Sequence, residues 1–219
     1  MHIKSQRIII ALIFILALMS LACKRQIKST ADLPPVLSHT YTVSVAPFTQ
    51  PKTPYELILG RIPEPQGLIT DEDLRILDDQ FKQILKRKQS RNFKFLTIPP
   101  KKPTTTYHSA AQPKGLEHWL AYGQSQGADL LLVPQVINWH EREGSAAGVT
   151  KSAWVRVEFF LLKINSGTMM NRSFYEEEQE PLTDNFLKIG QFIQRKGSWV
   201  SATDLAREGM IKACKDLGL

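Results

Sequence analysis

The run Trp139-His-Glu-Arg-Glu143 is the most chemically suggestive stretch of this chain. An imidazole next to carboxylates can ligate a metal or work as an acid–base pair, so His140 with Glu141 or Glu143 is the first candidate. The spacing argues against both. There is no second histidine four residues on, so the His-Glu-x-x-His arrangement of zinc hydrolases is missing. On a strand, neighbouring side chains point to opposite faces, which parts His140 from Glu141. The plainer reading is a polar strand end entering a hairpin whose tip is Gly144-Ser-Ala-Ala-Gly148. That tip carries no lysine at phosphate-loop spacing and precedes a strand, so it is not expected to cradle a nucleotide. Trp139, His140 and Trp154 flank the hairpin, and with Trp199 they are the candidate partner-binding residues, although packing into the sheet competes for the same rings.

Other clusters have simpler explanations. Glu176-Glu-Glu178 with Glu180 lacks the spacing of a calcium loop and reads as a solvated strand end. Lys86, Arg87, Lys88, Arg91 and Lys94 form a basic run that could face an anionic lipid or glycan, but the first three already suit a helix carboxyl end. Cys214 lies on the apolar stripe of the last helix and is expected to be a buried free thiol. No nucleophile elbow, catalytic Cys/His signature or dinucleotide fingerprint is present. We therefore infer no catalytic residues, no metal, no cofactor and no small-molecule substrate.

These residues need a scaffold, and periodicity supplies one. Strands are expected over residues 41–48, 93–98, 129–139, 154–164 and 168–175. The third opens on an apolar run that suits burial on both faces. Helices are expected over 70–88, 115–126, 182–194 and 201–217. Thr70 with Asp73, and Ser201 with Asp204, resemble capping boxes. Gly127 is a helix stop, and Asn165-Ser166-Gly167 is a turn. Residues 49–68 contain four prolines and read as loop, with a short helical turn near 55–59. The order β-α-β-α-β-β-β-α-α predicts an α/β (α+β) fold: a mixed sheet of about five strands, the last three an antiparallel meander, with helices packed on it.

The amino terminus answers a different question. Lys4 and Arg7 precede 15 uncharged residues, Ile8 to Ala22, which is short for a membrane-spanning helix and fits an export signal. Ser20-Leu21-Ala22-Cys23 resembles the lipobox of bacterial lipoproteins, with Ser20 and Leu21 in the reverse of the usual order. That resemblance implies a diacylglycerol on the Cys23 thiol and cleavage before it. Lys24, where an aspartate would direct inner-membrane retention, implies the outer membrane by the same likeness. Residues 1–22 are then a lipoprotein signal peptide, 23–40 a polar tether with Pro34-Pro35, and 41–219 a single periplasmic domain.

Composition agrees with one folded domain. Apolar residues are 42% of the 219 and charged residues 22%, which excludes a disordered chain. Two cysteines exclude a disulfide scaffold. Twenty-eight basic against 21 acidic residues is too mild an excess to imply nucleic acid.

Three phrases, Val43-Ser-Val-Ala-Pro-Phe48, Gly127-Ala-Asp-Leu-Leu-Leu-Val133 and Leu161-Leu-Lys-Ile-Asn-Ser-Gly167, occur in that order. They resemble the periplasmic α/β domains of CsgG-type lipoproteins, the penicillin-binding-protein activator LpoB and the TolB amino-terminal domain. Residues 176–180, Pro181-Leu182, Gly197-Ser198-Trp199 and 205–210 are similar to a group of uncharacterised proteobacterial lipoproteins. The resemblance implies a lipid-anchored, non-enzymatic module binding an unknown envelope protein. A CsgG-type secretion-channel subunit and a metal-dependent hydrolase are the alternatives. The channel would need extra membrane strands, which the proline-interrupted segments 49–68 and 99–114 do not suit.

Overall fold

An eleven-residue strand, Leu130–His140, organises the fold because its first ten residues are all buried. The structure, a computed structural model, describes residues 41–88, 91–102, 113–145, 148–178 and 200–219. The chain divides into Met1–Leu33 and Pro34–Leu219, and every described residue belongs to the second unit. In chain order the elements are β1 (Val43–Val45), α1 (Asp71–Lys86), β2 (Phe93–Phe95), α2 (Gly115–Ser125), β3 (Leu130–His140), β4 (Glu143–Ser145), β5 (Gly148–Lys151), β6 (Trp154–Lys163), β7 (Thr168–Glu178) and α3 (Ala202–Asp216). No helix among them is long and apolar enough to cross a membrane.

The main sheet has the order β2-β1-β3-β6-β7. β1 pairs in parallel with β2 and β3, and β3-β6-β7 is the expected antiparallel meander. The α/β class, the mixed five-stranded sheet and its helical cover are as the sequence predicts. Side chains alternate between two cores. Val43, Leu130, Leu132, Val157, Phe159 and Leu161 pack with α1 and α3. Leu131, Val133, Phe160 and Leu162 pack with Trp119 of α2 on the other face. Phe48, Phe81 and Phe159 meet edge-on or tilted at 5.4–5.9 Å between centroids, a favourable aromatic arrangement at the centre of the first core.

The helices begin where the sequence says. The Thr70 side chain accepts the Asp73 amide at 3.1 Å. At α3 both halves of a capping box form between Ser201 and Asp204. Gly127 ends α2 with φ +63°, and Gly167 turns β6 into β7 with φ +66°. β1 and β2 are shorter than expected, three residues each. The turn expected near 55–59 lies slightly earlier, where the Glu56 amide donates to the Thr53 carbonyl. β4 and β5 form a small hairpin of their own between β3 and β6, where the sequence predicts only a hairpin tip. The helix expected over 182–194 lies outside the described residues.

One irregularity in β3 matters for the site. The register with β6 shifts between Val136 and Asn138. This bulge breaks the two-residue period, so Val136 and Trp139, three apart, enter the same core. It also lets the buried Asn138 Oδ1 accept the Gly67 amide at 2.7 Å. Gly67 is pressed so closely onto β3 that an added Cβ would lie 2.2 Å from the Trp139 carbonyl oxygen. Replacing Gly67 with Ala is therefore expected to destabilise the fold by about 2 kcal/mol or more, measured as a loss of unfolding free energy in urea; a change within about 0.5 kcal/mol would show that this backbone yields easily.

Candidate functional site

The segment between β1 and α1 is fastened to the end of β3 by side-chain amides. Gln50 Nε2 donates to the Gly67 carbonyl at 2.7 Å, and Gln50 Oε1 accepts the Ile69 amide at 3.2 Å. Gln66 Nε2 reaches the carbonyls of Pro51 and Ile137 at 3.0 and 2.9 Å. Gln135 Nε2 donates to the Glu56 carbonyl at 2.8 Å, and its Oε1 accepts the Ile58 amide. Amides do this because each side chain both donates and accepts. They occupy the crevice where parallel strands β1 and β3 diverge in topology, the place where open α/β sheets commonly bind ligands. A cavity of about 220 Å³ remains there, lined by Phe48, Gln50, Ile69, Leu74, His118 and Trp119 among others. Burial pushes the His118 imidazole below its usual range, with Glu56 partly opposing.

The sequence-suggested run sits at the far end of β3, and its side chains go separate ways. His140 and Trp154 are cross-strand partners, and their rings stack nearly parallel, 3° between planes and 5.2 Å between centroids. The pair is half-buried. Nε2 of His140 is buried against Gly67 without a hydrogen-bond partner. Glu141 leaves the sheet, and its Oε1 accepts the Ala202 amide at 3.1 Å and the Arg142 amide at 3.0 Å. A carboxylate at the first residue of α3 is favoured by the exposed amides and dipole there. Glu143 pairs with Lys151 across the small hairpin at 2.9 Å. His140, Glu141 and Glu143 are thus engaged with three different elements, and no group of three metal-ligating side chains is found among the described residues.

Trp139 must be withdrawn from the outward patch. It is 4% exposed and packs in the core with α1 and α3, where the β3 bulge turns it. His140 and Trp154 remain at the surface, and Trp199 lies outside the described residues, as does Cys23. Glu176, Glu177 and Glu178 end β7. In the basic run, Lys86 closes α1 and Lys94 donates to the Gln126 carbonyl at the end of α2, at 3.1 Å. Cys214 is buried, and burial pushes its thiol up to about 11, Lys88 opposing, which makes it a poor nucleophile.

Periodicity gave no hint of the strongest electrostatic feature. Glu158, in the middle of β6, is fully buried. Its Oε1 accepts Nε and Nη2 of Arg156 at 3.2 and 2.9 Å, and its Oε2 accepts Nε and Nη2 of Arg172 at 3.2 and 2.8 Å. Two guanidinium groups, each placing two N–H donors on one oxygen of the carboxylate, satisfy a charge that would otherwise be very costly to bury. The Arg172 guanidinium also lies over Phe160 and Phe174, at 5.8 and 5.7 Å. The only signal in the sequence was an acid inside an apolar strand with arginines two residues before it and across the turn.

No family model matches the chain, and no curated protein matches it. The fold defines an α/β domain with a mixed sheet, and several solved structures are similar to it. They include the PelC dodecamer from Paraburkholderia phytofirmans, 14% identical, covering 84% of this chain and 92% of that one with a TM-score of 0.47. Lipoprotein GNA1162 from Neisseria meningitidis is 8% identical, covering 72% and 98%, with a TM-score of 0.35. The LpoB C-terminal domain from Salmonella enterica is 9% identical, covering 67% and 88%, with a TM-score of 0.34. Of the three proteins named by resemblance from the sequence, LpoB is in this group.

Two predictions follow from the charges. Glu158→Gln keeps the shape but strands two half-buried arginines, so stability should fall by about 2–3 kcal/mol in chemical denaturation, a range that allows for the arginines' solvent access; an unchanged midpoint would mean that the cluster contributes nothing net. Asp78 on α1 accepts the Phe48 amide at 2.7 Å, yet burial, with Asp79 nearby, raises it from 3.8 to about 6. Its folded value lies above the unfolded one, so the folded state binds the extra proton between these values. Stability from this group is complete below about pH 4 and is lost as pH rises through about 6. Asp78→Asn should flatten that fall and stabilise the protein at pH 7 by about 1 kcal/mol; parallel pH–stability curves for the two proteins would contradict it.

Proposed function

We propose that this chain is a cell-envelope lipoprotein. A diacylglycerol on Cys23 anchors it to the outer membrane, facing the periplasm, and it serves as a non-enzymatic binding or accessory module for an envelope protein. The observation that carries this reading is the sequence Ser20-Leu21-Ala22-Cys23, which ends a run of 15 uncharged residues, Ile8 to Ala22, behind a positively charged start. Two or three acyl chains hold a protein firmly, since each buried methylene contributes roughly 0.8 kcal/mol. Residues 23–40 then act as a tether that lets the domain reach a partner.

The described geometry supports a binding role over a hydrolytic one. The acids that suggested chemistry beside His140 instead hold the start of α3 and close a hairpin. What remains at that end of the sheet is the half-buried His140–Trp154 stack, an aromatic surface of the kind that anchors protein contacts. We assign the partner contact to this pair, together with Trp199. The proposal includes no nucleic acid, cofactor or small-molecule substrate.

Mass spectrometry of the amino-terminal peptide is the test of the anchor. The expected result is a chain that starts at Cys23 and carries acyl mass, which Cys23→Ser abolishes; an unprocessed start with a bare thiol would overturn it. For the partner face, cross-linking in intact cells should give a discrete adduct that Trp154→Ala reduces at least fivefold at equal protein level. An equal adduct from both proteins would place the contact elsewhere.

A further inference from the structure

We propose that the face carrying Glu158 holds an anion site for a phosphate-type group, in the open groove between the 49–69 segment and β6. This groove has a volume of about 1010 Å³, and its charged lining is Lys52, Arg61 and Arg156 against a single acid, Glu64. Three features of the groove favour an oxyanion there.

The first is preorganisation. Arg156 spends its Nε and Nη2 edge on the buried Glu158 carboxylate, which fixes the guanidinium plane and leaves Nη1 uncommitted to that acid. A guanidinium already held in place loses little freedom when an oxyanion arrives. The second is imbalance. Glu158 is shared by two arginines, so the cluster keeps an excess positive charge after its own carboxylate is counted. Lys52 and Arg61 add to that excess, and neither has an ion pair among the described residues. The third is backbone. Gly60 takes φ +87°, and a Cβ built on it lies only 3.7 Å from Arg156 Nη2 and 3.9 Å from Glu158 Oε1. This turn brings Arg61 to the same groove as Arg156. Pro54, Ile62 and Pro63 give the remaining wall apolar surface, so the bound group can carry a non-polar or sugar-like body behind its phosphate.

Such a group has two sources, a free phosphate ester or a lipid headgroup, and both present the same oxyanion. Calorimetric titration of the full chain in non-ionic detergent separates them. Inorganic phosphate is the free probe, dihexanoyl phosphatidic acid the lipid-borne one, and dihexanoyl phosphatidylcholine the zwitterionic control. We expect saturable 1:1 binding of phosphate and of phosphatidic acid, weakened about tenfold or more in Lys52→Glu/Arg61→Glu, which leaves the Glu158 pairs untouched. Phosphatidic acid binding tighter than phosphate identifies the lipid source; equal or weaker binding identifies the free one. Lys86→Glu/Arg87→Glu, at the end of α1, should change neither affinity by more than about twofold. If the double charge reversal fails to fold by circular dichroism, Lys52→Gln/Arg61→Gln replaces it, with the same direction expected. Absence of saturable binding by either phosphate probe, equal binding of phosphatidylcholine, or equal affinity in the folded groove variant would overturn the site.

Discussion

β3 is buried on both faces and carries two amides, Gln135 and Asn138, in that stretch, where polar atoms are costly to leave unpaired; of their four amide atoms three are hydrogen-bonded and Asn138 Nδ2 is not. An unsatisfied buried polar group costs about 1–3 kcal/mol, so these side chains dictate what lies next to them. Gln135 takes both a donor and an acceptor from the 49–69 segment, and Asn138 takes the Gly67 amide. Residues that look like linker are thereby held as a wall of the domain. The wall narrows the crevice at the strand ends, presses on His140 and shapes one side of the basic groove.

The same principle governs the charges. Glu158 is buried with two arginines around it, and Glu141 sits on the amide that begins α3. The sheet edge and α3 are joined by Ser173 Oγ to Asp216 Oδ2 at 2.6 Å and Tyr175 OH to Glu208 Oε2 at 2.8 Å. Glu141, Glu158, Glu208 and Asp216 therefore serve to satisfy backbone amides, hydroxyls and guanidinium groups. A carboxylate already occupied in this way is poorly placed for acid–base work, which is why the run beginning at Trp139 builds structure.

How much of this was legible beforehand depended on whether the cause was local. α1 and α3 could be read because Thr70 and Ser201 cap them and their apolar residues recur every three or four positions. The β6–β7 turn could be read because Gly167 must adopt a positive φ. The bulge at Val136 could not, since it depends on pairing with β6, and so the sequence left open whether Trp139 faces a partner or packs into the sheet. The amide contacts of residues 49–69 span up to 79 positions, and no periodicity reports them. Arg172 meets Glu158 only after the meander folds. His140 and Trp154 could be named as candidates because they border the hairpin, whereas Lys52, Arg61 and Arg156 come together only in three dimensions.

The buried amides of β3 thus turn an irregular segment into a fixed surface of the domain. Native-state hydrogen exchange at the Gly67 and Ile58 amides tests this most directly, because each donates to a side chain of β3. The account predicts that both exchange slowly, with opening free energies close to those of the β3 amides themselves. Exchange of both at the rate of an unstructured peptide, while β3 stays protected, would contradict it.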